Sequence, residues 1–129
     1  MRILLDTHCW LWWLISPERL SAPSLDAFKS REHELFLSAA SAWEIAIKYS
    51  SGRLRLPMEP GEFVRSRLAA SETIPLAVLH HHALQVAHLP RHHRDPFDRL
   101  LIAQAQVEGL AIMTADPNFR AYDVEVLNT

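Results

Sequence analysis

The chain is poor in several features that mark whole classes of protein. It has one cysteine, Cys9, among 129 residues. No internal disulfide can therefore form, and the composition suits a reducing cytosol. Cys9 sits in an apolar stretch with no base beside it, so it reads as a small buried hydrophobe rather than a nucleophile. That stretch, Cys9–Ile15, is too short to span a bilayer, and Asp6 and His8 interrupt any signal-peptide core. Lysine is scarce as well, with only Lys29 and Lys48. The net charge of −2 gives no overall basic field for loose binding to nucleic acid. No repeat, low-complexity tract or linker interrupts the pattern, so a single cytoplasmic domain over 1–129 is expected.

The apolar content of 49% and charged content of 22% are those of a globular domain. Most of the positive charge is arginine, which suits bidentate contact with phosphate or carboxylate. The arginines gather locally, as Arg53 and Arg55, Arg65 and Arg67, and Arg91, Arg94 and Arg99. Any polyanion site is expected to be local too.

Arg2–Leu5, Glu34–Ser38, Thr73–Leu76, Leu110–Thr114 and Val124–Leu127 read as short strands. Thr7 can cap a helix reaching about Leu14, and a second helix fits Ala22–Ser30. Ser41 and Glu44 have capping-box spacing, which predicts a helix from there to about Ser50, stopped at Gly52. Gly61–Ser71 and Val78–His88 have helical patterns. Asp95-Pro96 opens a last long helix that ends at Gly109. Strands alternating with helices predict a three-layer α/β/α sandwich on a mainly parallel central sheet.

Four acids lie just past apolar segments: Asp6, Glu44, Asp98 and Asp116. Each has an ordinary local role available. Asp6 and Asp116 suit turns or caps, while Glu44 and Asp98 suit the third position of a helix. In a parallel sheet, however, the carboxyl ends of the strands share one crevice where ligands bind. Carboxylates crowded there repel one another, and a hard divalent cation such as magnesium or manganese relieves that repulsion. Such a site leaves room for a substrate oxygen and a water, which suits phosphodiester hydrolysis.

The chain resembles the PIN-domain ribonucleases, specifically the VapC-type toxins of toxin–antitoxin pairs. The resemblance is carried by Leu4-Leu5-Asp6-Thr7-His8 with Trp12-Trp13-Leu14, and by Ser38 and Ser41 through Trp43-Glu44-Ile45-Ala46-Ile47-Lys48. It continues through Gly52-Arg53-Leu54, the run from His93-Arg94-Asp95-Pro96-Phe97-Asp98-Arg99 to Gln104-Ala105, and Thr114-Ala115-Asp116. It implies an endoribonuclease requiring Mg2+ or Mn2+, with Asp6, Glu44, Asp98 and Asp116 as the acidic catalytic and metal-binding set. It also implies a homodimer restrained by a cognate antitoxin whose tail occupies the acidic site. Asp95, Thr7, Thr114 and Arg99 form a second tier. Asp95 suits an N-cap, the two threonines can support carboxylates, and Arg99 can touch RNA phosphate or pair with an acid.

The remaining conspicuous residues have plainer readings. His80, His81 and His82 are expected to point in different directions on a helix, which argues against a structural zinc site. His93 can approach RNA, or pack and bond to Asp95. Trp10, Trp12, Trp13 and Trp43 can stack on bases, but an apolar helical stripe is expected to spend them on core or dimer packing. Lys48 lies one turn beyond Glu44 and is expected to form an ion pair with it. A PIN-fold binding module without turnover, and a phosphatase of small phosphate esters, are the alternatives. A receiver-like phosphoacceptor would want paired acids after the first strand and a late lysine, neither of which is present.

Overall fold

The computed structural model describes residues 1–92 and 94–128. Five strands form one sheet: β1 Arg2–Leu5, β2 Glu34–Ser38, β3 Ile74–Leu76, β4 Ala111–Thr114 and β5 Val126–Asn128. Six α-helices accompany them: α1 Thr7–Ile15, α2 Ala22–Lys29, α3 Ala39–Ser50, α4 Pro60–Ala70, α5 His80–Gln85 and α6 Pro96–Glu108. The strand order is β3-β2-β1-β4-β5, and every neighbouring pair is parallel. The predicted three-layer arrangement on a parallel sheet is the one observed.

Period-2 alternation divides the core between the two faces. Ile3, Leu5, Leu35, Leu37 and Met113 point to the side packed by Leu11, Phe28, Ile45 and Phe63 of α1 to α4. Leu4, Phe36 and Ile112 point the other way, onto Leu101, Ile102 and Ala105 of α6. The central strands β1, β2 and β4 read as nearly continuous apolar runs because both their faces are covered. From β1 the chain moves outward through β2 to β3, then returns to the other side of β1 for β4. The reversal makes the carboxyl ends of β1 and β4 the topological switch point of the sheet.

The last long helix follows its local chemistry. Asp95 caps α6 by accepting from the Phe97 and Asp98 N–H groups at 2.8 and 3.3 Å. Pro96 opens the helix, and Gly109 ends it with φ +67°, the left-handed region that glycine enters without a Cβ penalty.

Three predicted features differ. Helix α3 starts at Ala39 rather than Ser41, because Ser38, the last residue of β2, accepts from the Ala40 N–H at 3.0 Å. An N-cap has extended dihedrals, so one residue can both end a strand and cap a helix. Glu44 therefore lies in the second turn, outside any capping box. At the first helix Asp6 occupies the cap position and Thr7 is already helical. The predicted helix over Val78–His88 is a short α5 followed by a 3-10 turn at Val86–His88. Its start is set by His82, whose Nδ1 accepts from the Leu79 N–H at 3.0 Å. Among the described residues, no helix is long and apolar enough to cross a membrane.

Candidate active site

The central strand delivers the first acid. Hydrogen bonding between β1 and β4 continues one residue beyond β1, where the Asp6 N–H donates to the Met113 carbonyl at 2.9 Å. Asp6 is buried, and its Oδ2 accepts from the Thr114 hydroxyl at 2.8 Å. The same Thr114 oxygen accepts from the Asp116 N–H at 3.0 Å. One threonine at the end of β4 thus ties together the segments that carry Asp6 and Asp116. Asp116 in turn caps a 3-10 turn by accepting from the Asn118 N–H at 2.9 Å.

The helices deliver the other two. Asp98 is the third residue of α6, so its carboxylate lies at the positive end of that helix. Glu44 is buried on α3, and its Oε2 accepts from the Lys48 ammonium at 2.7 Å, the expected ion pair. Thr7 does not support a carboxylate through its hydroxyl. It donates to the Ser41 Oγ at 2.8 Å and so joins α1 to α3.

Electrostatics show that these acids share one crevice. The Asp98 carboxyl is pushed up to about 8 by burial first, and then by the charges of Asp6, Asp95, Glu44 and Asp116. Burial likewise raises Asp6, and the Glu44 charge adds to it. The Thr114 hydrogen bond, the His8 charge and the Thr7 N–H oppose that rise. Asp98 thus stands at the switch point where the charges of the other three predicted acids and of Asp95 converge. Asp98 and Asp6 hold their protons against the usual tendency of a carboxyl, and a hard divalent cation is the natural replacement for such protons.

Beside this crevice, Thr7, His8, Leu11, Ile45, Lys48, Arg53 and Leu54 line a cavity of about 440 Å³. Its lining includes Arg53 and the Lys48 ammonium that pairs with Glu44. His8 bears on the acids but was not singled out by any spacing. Its position two residues after Asp6 was the available signal. Gln104 was also missed. It accepts from the Ser38 hydroxyl at 2.5 Å and donates to the Ala77 carbonyl at 3.1 Å, fixing the residue that starts α3.

Among the described residues, Arg99 bonds to backbone carbonyls rather than to an acid. Its guanidinium donates to the carbonyls of Pro90 at 2.8 Å and Val86 at 3.2 Å. It satisfies the orphan carbonyls that follow α5. His93 lies outside the described residues. Cys9 is inert as expected, since burial, and then the Asp6 charge, push its thiol up to about 12.

The tryptophans separate into two groups. Trp10 is fully buried, and Trp13 stacks on Phe28 at 4.2 Å between ring centroids. Trp12 packs half-buried against the same core. Trp43 departs from core packing, with 61% of its surface exposed.

A second cluster lies at the far end of α6. His81 and His82 do converge, contrary to expectation, with their Nε2 atoms 3.8 and 2.8 Å from Glu108 Oε2. The three ligand atoms lie within 4.8 Å of one another, close enough to hold a metal ion. Protonation opposes that use. His82 Nδ1 already accepts a backbone N–H, so its Nε2 carries the proton and donates it to Glu108. Ligation through Nε2 would leave an imidazolate.

Comparison with known proteins supplies the remaining observations. The model of the PIN domain family matches residues 3–125. Ribonuclease VapC22 of Mycobacterium tuberculosis is 28% identical over 121 residues, covering 93% of this chain and 91% of that protein. Ribonuclease VapC16 of the same organism is 46% identical over 50 residues, which is 39% of this chain and 36% of that protein. Among solved structures, the chain is similar to one in the crystal structure of VapBC2 from Rickettsia felis bound to a DNA fragment from their promoter. The TM-score is 0.74 at 13% identity, over 100% of this chain and 99% of that one. At that identity the likeness shows the fold.

Proposed function

Because the chain belongs to the PIN domain family, we propose that it is a cytoplasmic VapC-type endoribonuclease that hydrolyses phosphodiester bonds in RNA. Its biological role in this reading is the toxin of a toxin–antitoxin pair, working as a homodimer held in check by its antitoxin. The observation that carries the proposal is Asp98, a carboxyl pushed up to about 8 by burial and four other acids at the switch point. A structural ion-pair network would set opposite charges there. Here the carboxylates outnumber their described basic neighbours, Lys48 on Glu44 and His8 near Asp6, which suits a divalent cation.

Asp6 and Asp98 are the proposed ligands of Mg2+ or Mn2+, with Glu44 and Asp116 completing the set directly or through water. Such a cation, when bound, lends positive charge to the phosphate oxygens and eases loss of a proton from the attacking water. The chain's own groups do the positioning. Thr114 holds the Asp6 carboxylate, Asp95 fixes the first turn of α6, and Lys48 balances Glu44. Water oxygen bonds to phosphorus as the bond to one ribose oxygen breaks, with no covalent enzyme intermediate.

The names of the curated relatives support RNA as substrate, and the VapBC neighbour supports an antitoxin partner. The test is sequencing of RNA ends after expression of the wild-type chain and an Asp6→Ala control. New ends should appear only with the wild type. Identical ends in both samples would remove the nuclease reading. Turnover of a simple phosphomonoester in preference to RNA would favour a phosphatase instead.

A further inference from the structure

Helices α3 and α6 meet through two adjacent pairs of side chains. Glu44 and Asp98 form the inner pair, with the Glu44 charge acting on the Asp98 carboxyl. The residues immediately before them, Trp43 and Phe97, form the outer pair, with ring centroids 5.0 Å apart and planes at 68°. Phe97 is half-buried and meets the indole edge-to-face, which fixes the ring without covering it. Trp43 remains 61% exposed, although the other three tryptophans are packed against the core. It lies on the solvent side of α3 with Ala39, Ala46 and Ser50, and nothing among the described residues shields its outer face.

We propose that Trp43, braced by Phe97, is a stacking platform for an unpaired nucleobase next to the phosphate being cut. The inference rests on the nuclease reading above and adds how the strand is gripped. A phosphate held at the acids carries its flanking base less than one nucleotide away, and the aromatic pair is offset from the acid pair by one residue on each helix. Carboxylates cannot hold a base by its face, and they repel the phosphates on either side. An indole does the opposite: it stacks on any base and carries no charge. Trp43 is therefore a positioning residue, acting on binding rather than on bond cleavage.

The test uses the full chain and two probes. In the first, a randomised RNA pool is cleaved by wild type, Trp43→Ala and Trp43→Phe. The alanine variant should raise KM roughly five- to hundredfold while kcat stays within about twofold. It should also flatten the base preference at one position flanking the cut, and the phenylalanine variant should restore most of both. In the second, polyuridylate and polyadenylate are titrated into a non-cleaving Asp98→Asn protein. Indole emission should be quenched, and adding Trp43→Phe should remove most of that quenching.

An unchanged KM and base preference in Trp43→Ala would overturn the platform while leaving the nuclease reading intact. So would a shift in sedimentation with Trp43→Ala, which would assign the indole to a second copy of the chain. Wild-type protein that neither cleaves the pool nor binds the homopolymers would overturn both.

Discussion

The two ends of α6 carry two clusters of ionisable side chains, and they behave in opposite ways. At the N-terminus, Asp98 joins four other carboxylates and is pushed up to about 8. At the C-terminus, Glu108 is held below the usual carboxylate range, chiefly by its hydrogen bond from His82. Both clusters have ligand chemistry, yet in the first like charges crowd one carboxyl and in the second an imidazole donates to it. The second has already satisfied itself: the imidazole supplies the proton, and its other nitrogen anchors α5. Proximity of ligand atoms is therefore a poor guide to metal binding. The direction in which neighbours push the protons is a better one.

The sharpest way to break this comparison is to remove one carboxylate from the crowded end. Asp98→Asn should lower RNA cleavage by more than about a hundredfold, measured as kcat/KM. The same variant should be more stable without metal, because the folded state no longer holds a raised carboxyl. The sign follows from linkage. A carboxyl whose folded pKa is about 8 and whose ordinary value is 3.8 favours the folded state below the ordinary value. That contribution fades as pH rises through the folded value. Metal-free wild type should lose thermal stability between about pH 4 and 8, and Asp98→Asn should flatten that slope. Mg2+ should restore wild type near pH 8 by binding the ionised form. A melting temperature indifferent to both pH and Mg2+ would refute the assignment of the acid crevice.

The opposite end should respond to structure rather than to cations. His82 is fully buried and holds the Leu79 N–H, the Glu108 carboxylate and the neighbourhood of Gln104. Replacing it by alanine leaves a cavity and an orphan backbone donor. His82→Ala should cost about 2–3 kcal/mol in denaturant unfolding. Catalytic turnover per folded molecule should stay near wild type. Zinc titrated into the metal-free protein should show no stoichiometric site that disappears in this variant. If one appears, the proton on His82 Nε2 is less firmly held than its hydrogen bonds imply.

What could be read from residue order differs between these ends for a physical reason. The start and stop of α6 were legible because Asp95, Pro96 and Gly109 act on their own neighbours. Asp98 followed as the third helical position. The mainly parallel sheet was legible through strand patterning, and the four acids stood out as candidates through the order of the sequence blocks. The start of α3 was not, because Ser38 serves as strand end and helix cap together. Arg99 was not either, since its partners are carbonyls 9 and 13 residues back, placed by the turn after α5. The meeting of His81 and His82 at Glu108 spans 26 residues or more and depends on the short α5 lying against α6. Local rules reach one turn, and these contacts lie beyond it.

Lys48 offers the finest adjustment of the comparison, because it is to Glu44 what His82 is to Glu108. Both side chains donate to one carboxylate oxygen, at 2.7 and 2.8 Å. Lys48, however, is a third exposed and belongs to an i, i+4 pair, so its worth to stability is small. Lys48→Met should cost only about 0.5 kcal/mol in metal-free unfolding. The larger effect should fall on the cation. Without the ammonium, Glu44 adds a full negative charge to the crevice, and Mg2+ affinity should rise by roughly two- to fivefold, read from the Mg2+ dependence of melting. An affinity that falls instead would mean that Lys48 orients Glu44 for the cation rather than competing with it. The ion pair would then belong to the site in the way Thr114 does, as a brace for a carboxylate, and the likeness to His82 would end at the distance.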